Sequence, residues 1–431
     1  MSDLKPVLIV SYYFPPAGGP GVQRVLKFCK YLPQFGFRPI VLTVENGEFP
    51  AEDASLFKDI PPETVICRTF IPEPYSIYKR FTGMKKSDKF GVAFVKKEAK
   101  SRESWKEKFA VWTRGNFFIP DARVWWRLTA VSAGKKLVKK YGIEVVFSSG
   151  PPHSVHLIAN SIRKSTGISW VADFRDPWTG IDYYAKLKLT WLADKLHHHL
   201  EKSVLTDADQ ITVVSESMKR DFSAITSKPI SVIPNGFDAE ELPLNPKTPA
   251  HDKLVISYIG NMYPVENWAS VFSTIRNWIK QFPELKDQLV LKFAGTQDGS
   301  VLALVKENGL ESNLQLLGYL NHDQALIELF DSTAVLLVIN SEPGNEHVLT
   351  GKLFEYLSTG KPILFSGPIP GDAWTLLEKA GNAIKLENVN PLDLKTMKPA
   401  QRGIDSFTRK KLTEELAILL TQSIEQKRKR P

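Results

Sequence analysis

Short runs rich in β-branched residues, each bounded by turn formers, alternate along this chain with longer stretches of helical periodicity. That alternation is the strongest constraint on the fold, because strands joined through helices run in one direction and have both faces covered. It predicts an α/β protein built on parallel sheets. In the first half strands are expected over residues 7–11, 39–43, 145–148, 169–173, 210–214 and 230–233, with helices such as 21–34 and 183–205 between them. In the second half they are expected over 254–259, 290–294, 334–339, 362–365 and 383–386.

Between the halves, Pro234, Pro243, Pro246 and Pro249 deny regular structure to residues 233–253. The expected organisation is therefore a domain over 1–236, a linker over 237–253 and a smaller domain over 254–405. A closing helix with a solvated basic tail should fill 406–431. A length of 431 residues suits this division, and a charged fraction of 24% beside 43% hydrophobic residues excludes a disordered or fibrous chain. No repeat of solenoid or propeller period is present. Two cysteines, Cys29 and Cys67, are too few for a disulfide framework or a multi-thiolate metal site. The apolar run Val7 to Val10 is far shorter than a secretory core, and no stretch approaches the ~20 residues of a membrane span, so a cytoplasmic protein is expected.

Charge is unevenly spread. Residues 75–140 hold 18 Lys and Arg against 5 Asp and Glu, a net of +13, so the rest of the chain sums to −4 within a total of +9. Aromatic residues interleave with that charge, among them Phe81, Trp105, Trp112, Phe117, Trp125 and Trp126. The mixture suits an anionic membrane surface, where each cation contributes ~1 kcal/mol and rings settle among headgroups. It also suits single-stranded nucleic acid, or a solvated face whose rings pack inward.

Two segments could carry chemistry. The first strand runs into YYFPPAGGPGVQRV, residues 12–25, and then into a helix. Small residues at Ala17, Gly18 and Gly19 allow backbone N–H groups to approach an anion at a helix N-terminus, and Arg24 could add a charged fork. The other reading is a tight turn; the loop matches neither G-x-G-x-x-G nor a Walker sequence. The second segment is SEPGNEHVLTGKLFEYLSTGKPILFSG, residues 341–367, lying beyond the carboxyl end of an apolar strand, where open parallel sheets bind ligands. If a helix begins near Gly351, Lys352 sits among its first N–H groups, suited to a diphosphate. Glu355, one turn later on the same face, could accept the two hydroxyls of a ribose. The competing reading is an exposed Lys/Glu pair worth ~0.2–0.5 kcal/mol.

At these residues the sequence resembles the retaining family-4 glycosyltransferases of the GT-B fold. Its landmarks are FPPAGGPGVQR, WVADFRDPW (170–178), ITVVSESMK (211–219), VIPNGFD (232–238), YIGNMYP (258–264) and GKLFEYLSTGKPIL (351–364). The resemblance implies two Rossmann-like domains facing across a cleft, with the C-terminal helix crossing back to the first. It implies a nucleoside diphosphate sugar donor, a UDP-sugar before others, bound mainly by the second domain. It also implies a saccharide acceptor, which in this family can be lipid-linked, on the first. No cofactor is implied, and nucleic acid falls behind the membrane as a partner of the basic segment.

Carried over residue by residue, Glu355 matches the glutamate that holds the ribose, and Lys352 faces the diphosphate. The partner glutamate, separated from Glu355 by seven intervening residues, falls at His347, with Glu346 beside it, so either can supply the contact to the donor sugar. Family members also grip the diphosphate with an Arg and a Lys after the first strand of the second domain. Residues 260–268, opening on Gly260, contain neither. Lys352, Arg24 and the Gly18 and Gly19 amides would take more of that charge. Asp173, Arg175 and Asp176 fall at the cleft edge, as loop-shaping pairs or as contacts to an acceptor hydroxyl. His153, after a Pro pair at a strand end, is either structural or close to the donor sugar.

The D-x-D spacing of Asp207 and Asp209 precedes a strand and reads as a helix end in preference to a metal site. His197, His198 and His199 splay ~100° apart on a helix and share no face, apart from a possible His197/Glu201 pair. The expected activity is thus a cytoplasmic, metal-independent, retaining glycosyltransferase. The alternatives are a sugar-nucleotide epimerase or hydrolase, and a non-catalytic nucleotide-sugar-binding protein of the same fold.

Overall fold

A computed structural model describes residues 4–49, 51–72, 112–113, 115–181, 184–243, 252–342, 344–397 and 403–429. Most of the basic segment, residues 75–111 and 114, lies outside the described residues. The chain forms two compact units: one extends to Pro234 and takes up the segment from Leu412 onward, and the other is Asn235–Lys411.

The first unit holds a parallel sheet of seven strands: β1 (Lys5–Val10), β2 (Phe37–Val44), β3 (Val65–Thr69), β4 (Val145–Gly150), β5 (Ser169–Phe174), β6 (Gln210–Val213) and β7 (Ile230–Val232). Their spatial order is β3-β2-β1-β4-β5-β6-β7. Central strands read as unbroken apolar runs because helices cover both faces; Val7 to Val10 are all fully buried, with Val7 paired to Val145 and Val10 to Ser148. Cores lie on both faces, one around Trp126 and Trp170, the other around Phe28 and Phe147. The last helix, Arg409–Arg428, belongs mainly to this unit. Leu412, Leu416, Leu420 and Ile424 recur every fourth residue and join the core that contains Val7 and Ile9.

The second unit holds a parallel sheet of six strands: β8 (Leu254–Ile259), β9 (Leu289–Ala294), β10 (Leu314–Gly318), β11 (Ala334–Val338), β12 (Ile363–Ser366) and β13 (Ala383–Lys385), in the order β10-β9-β8-β11-β12-β13. Both sheets have the doubly wound order of a Rossmann-like domain. The chain is α/β throughout, as the alternation predicts.

Several expectations need correction. β3 and β10 have no counterpart among the predicted strands, and each is a sheet edge. The helix expected over 21–34 runs Pro20–Tyr31, with proline at its start, and gives way to a 3-10 turn, Leu32–Phe35. The helix expected over 183–205 runs Trp191–Asp207, because the Thr190 side chain caps it by accepting from the Ala193 amide. Phe237 donates its amide to Phe407 O at 3.1 Å and accepts from the Arg409 amide at 2.8 Å, which ties it into the second unit. Residues 244–251 lie outside the described residues.

Candidate functional site

In the second sheet, the connection from β8 leads to β9 on one side and that from β11 to β12 on the other. The carboxyl ends of β8 and β11 therefore open the crevice in which ligands of such sheets bind. Gly260 follows β8 at φ +132°, and a Cβ there would stand 2.3 Å from Lys352 Cε and 2.4 Å from its Nζ. The positive φ favours glycine, and a side chain there would push the flexible end of the lysine aside. Lys352 lies in the first turn of the helix Gly351–Ser358, which has no side-chain cap and no acidic residue in its first turn. Thr350, at the cap position, keeps a buried hydroxyl that finds no hydrogen-bond partner among the described residues.

Lys352 donates to the Tyr258 hydroxyl at 2.8 Å and sits 4.2 Å from the centre of that ring. Tyr258 donates in turn to Asn261 O at 3.1 Å, which leaves its oxygen to face the ammonium. Burial pulls the lysine down to about 8, opposed by the charge of Glu355. Among the described residues the cation is thus held by one neutral hydroxyl and a ring face, with no carboxylate in contact, a state that a bound anion would stabilise.

Glu355 lies one turn further along the helix. Burial raises its carboxyl above the usual range, and His322 and Arg409 draw it back. His322 Nδ1 stands 4.0 Å from Glu355 Oε1, while its Nε2 is 3.2 Å from Glu241 Oε2. Glu346 is exposed and accepts from the Gly344 amide at 2.8 Å; His347 is exposed. Among the described residues neither shares a hydrogen bond or ion pair with Lys352 or Glu355.

In the first unit the equivalent crevice lies beyond β1 and β4. Here the expected anion site is not what the loop builds. Gly18 is buried and its amide donates to Ala51 O at 2.9 Å, in a short antiparallel contact between Ala17 and Glu52. Gly19 is exposed at φ +90° and starts the helix without a side-chain cap. Arg24 is taken up by the interior. It is 1% exposed, and donates through Nε and Nη2 to Asp173 at 3.0 and 2.7 Å and to Ile233 O and Pro234 O at 2.8 Å each.

Asp173 is likewise removed from any acceptor. It is fully buried and accepts from Ser149 Oγ at 2.6 Å and Thr212 Oγ1 at 2.7 Å besides Arg24. Burial alone would push this carboxyl up, but the Arg24 charge and the hydrogen bonds from Arg24, Ser149 and Thr212 hold it below the usual range. The charges of Asp176 and Asp173 act on Arg175 from nearby. Arg175 donates to the carbonyls of Gly150, Gly21 and Pro151, pinning together the loops after β1 and β4. Asp176 is exposed.

His153 precedes the helix Ser154–Thr166 and stacks on Trp178, with ring centres 4.8 Å apart and planes within 4°. Burial and the neighbouring His156 push it well below 6.5, so it is a neutral imidazole at neutral pH. Behind it, Trp170 Nε1 can only donate, and its partner is Ser148 Oγ at 2.8 Å. The same Ser148 hydroxyl lies 2.9 Å from His156 Nδ1 and hydrogen-bonds to it.

Residues 92–241 match Glycosyltransferase Family 4. The chain carries a family-4 glycosyltransferase segment. The whole chain has the GT-B fold. A glycosyltransferase from Rickettsia africae ESF-5 is 13% identical, with a TM-score of 0.57 over 98% of this chain and 99% of that one. Sucrose-phosphate synthase from Thermosynechococcus elongatus is 14% identical, with a TM-score of 0.52 over 98% and 97%. A putative UDP-N-acetylglucosamine 2-epimerase from Listeria monocytogenes is 12% identical, with a TM-score of 0.51 over 98% and 97%. A comparison with curated proteins returns no match. At such identities the likeness is one of fold, while the family-4 segment supports sugar transfer.

Within this segment the remaining polar candidates have structural partners. Asp207 accepts from Asn160 at 2.8 Å and pairs with Lys164 at 2.8 Å, whereas Asp209 accepts from the Trp170 amide at 3.0 Å. His197 accepts from Trp178 Nε1 at 3.0 Å, and Glu201 accepts from the amides of Trp178 and Thr179 at 3.2 Å each, so both brace one loop without pairing to each other. Outside the family-4 segment, sequence reasoning missed Tyr258 and His322. Tyr258 could have been suspected from its place in YIGNMYP; His322 had no local signal.

Proposed function

We infer that the protein moves a sugar from a nucleoside diphosphate, a UDP-sugar before others, to a saccharide acceptor, with retention of configuration and without a metal ion. The observation that carries this reading is the Lys352 ammonium over Gly260, at the switch point of the second sheet and beside an uncapped helix start. A cation and helix N–H groups at one point suit a diphosphate. Glu355, one turn on, takes the ribose, and Glu346 or His347 meets the donor sugar.

In front-side attack the leaving diphosphate accepts the acceptor's proton, so no side chain need act as nucleophile. The protein's task is to stabilise charge growing on the departing phosphate, through Lys352 and the helix amides. His153, neutral at working pH, contributes a hydrogen bond and no charge. Asp176, exposed just after β5, is the acceptor-side candidate. Incubation with UDP-, GDP-, TDP- and ADP-sugars and saccharide acceptors in excess EDTA, read by NMR, tests this. A glycoside of retained configuration is expected; donor turnover without acceptor would favour the epimerase or hydrolase, and nucleotide binding without product the binding protein.

The acceptor is proposed to be lipid-linked, met at an anionic membrane surface. Among the described residues no helix is long and apolar enough to cross a membrane. Support comes from the basic segment and from exposed apolar residues on the first unit: Phe117 at 68%, Trp191 at 74% and Leu192 at 69%, with Lys186, Lys188 and Lys195 exposed nearby in sequence. Flotation should recover the protein with anionic vesicles and less with neutral ones. Raising salt should weaken recovery, because the Debye length shrinks from ~10 Å at 0.1 M to ~3 Å at 1 M. Equal recovery with both vesicle types, or none with either at low salt, would remove this part of the reading.

A further inference from the structure

His322 opens the helix His322–Phe330, beyond the edge strand β10, and its ring is set between two carboxylates. Its Nε2 is 3.2 Å from Glu241 Oε2, a hydrogen bond that needs a proton on Nε2, and its Nδ1 faces Glu355 Oε1 at 4.0 Å. A neutral ring bonded to Glu241 would turn the lone pair of Nδ1 toward the Glu355 carboxylate, which repels it. The imidazolium presents a proton to each. We propose that His322 is a positioning residue of the donor site: its imidazolium, seated between Glu241 and Glu355, holds the Glu355 carboxylate charged and in place to accept the hydroxyls of a ribose. This rests on the reading of Glu355 as the ribose ligand.

The surrounding charges agree. Glu241 on the 3-10 turn Ala239–Glu241, Glu355 on the helix Gly351–Ser358 and Asp323 on the histidine's own helix all favour the imidazolium, and its titration is raised, first by the hydrogen bond to Glu241. Facing Glu355, Arg409 and Lys352 add positive charge, while Glu241 opposes ionisation. Without His322, a partly buried carboxylate would stand beside a second carboxylate with one cation fewer. It would take a proton at a higher pH and could no longer accept two hydroxyls.

The test is calorimetric affinity for the tightest binder among UDP, GDP and ADP, from about pH 5.5 to about pH 8.5, in the full chain, with melting curves to confirm folding. His322→Gln should bind up to about tenfold more weakly at the acid end, the limit for a one-unit rise in the Glu355 titration. Toward the alkaline end, as the imidazolium loses its proton, the gap should shrink to within about twofold. His322→Lys keeps the charge and should close the acid gap, which guards against a variant that merely disturbs packing. The same factor at every pH, or no gap at the acid end, would overturn the proposal. The underlying reading fails separately: if Glu355→Ala and the 2′,3′-dideoxy nucleotide both leave wild-type affinity unchanged, Glu355 does not hold the ribose. If none of the three nucleotides binds, the donor site itself is wrong.

Discussion

Lys352→Ala should lower turnover by on the order of 10²–10³-fold, the usual effect of deleting one group that stabilises charge developing in a transition state. Donor affinity should fall less, because the diphosphate gains charge as the glycosidic bond breaks and the ammonium matters most then. Lys352→Arg should rescue only in part. The passage over Gly260 is fitted to a thin alkyl chain, and a planar guanidinium cannot take the same seat against the Tyr258 hydroxyl and ring. A pH signature accompanies this. Burial places the lysine at about 8, so in the free protein the ammonium is lost as pH rises through that value. A bound diphosphate favours the charged form, so above about pH 8 binding must take up a proton, and donor affinity should decline there. The alanine variant should lack that decline. Steady-state kinetics across pH checks both; an alanine variant with wild-type turnover would end the diphosphate reading of this helix start.

Asp173→Ala should destabilise the first unit by about 3–5 kcal/mol, the range for removing one partner of a buried ion pair. Arg24 would keep Ile233 O and Pro234 O but lose its carboxylate, leaving a guanidinium that is 1% exposed without a counter-charge. Ser149 and Thr212 would each lose an acceptor. A double replacement, Arg24→Met with Asp173→Leu, should cost less than the single one, because no charge is then left buried. The pH sign follows from a carboxyl held below its usual range. Stabilisation from this group is complete above about pH 4, the unfolded value, and is lost as pH falls through the lower native value. Urea denaturation of the full chain measures these differences. A cost below about 1 kcal/mol for Asp173→Ala would mean that water reaches the pair.

The interior strands were legible because their surroundings are uniform. With helices on both faces, β1, β8 and β11 are apolar along most of their length, and such runs stand out from helical periodicity. β3 and β10 did not stand out. At the sheet edges VICRT is half-buried throughout and LQLLG is largely exposed, so neither shows continuity or clean alternation. In the candidate site, the spacing of Lys352 and Glu355 reports a shared helical face, since three residues make nearly one turn. Their chemistry depends on Gly260 and Tyr258, which lie about ninety positions away, and no local pattern joins them.

Residue type and spacing by themselves determined the parallel α/β class, the two sheets and the Lys352/Glu355 face, because these follow from hydrophobic periodicity and helical geometry over a few residues. Tertiary structure alone decided which polar groups are available for chemistry. Arg24 and Asp173 look like surface candidates in sequence, yet they are 149 residues apart and lock onto each other in the interior. Desolvating either charge alone is costly, so each is buried only because the fold brings the other to it. His322, silent in sequence, gains a place at the site because the fold sets it between Glu241 and Glu355, where two carboxylates within 4.0 Å of one ring make its charged form favourable.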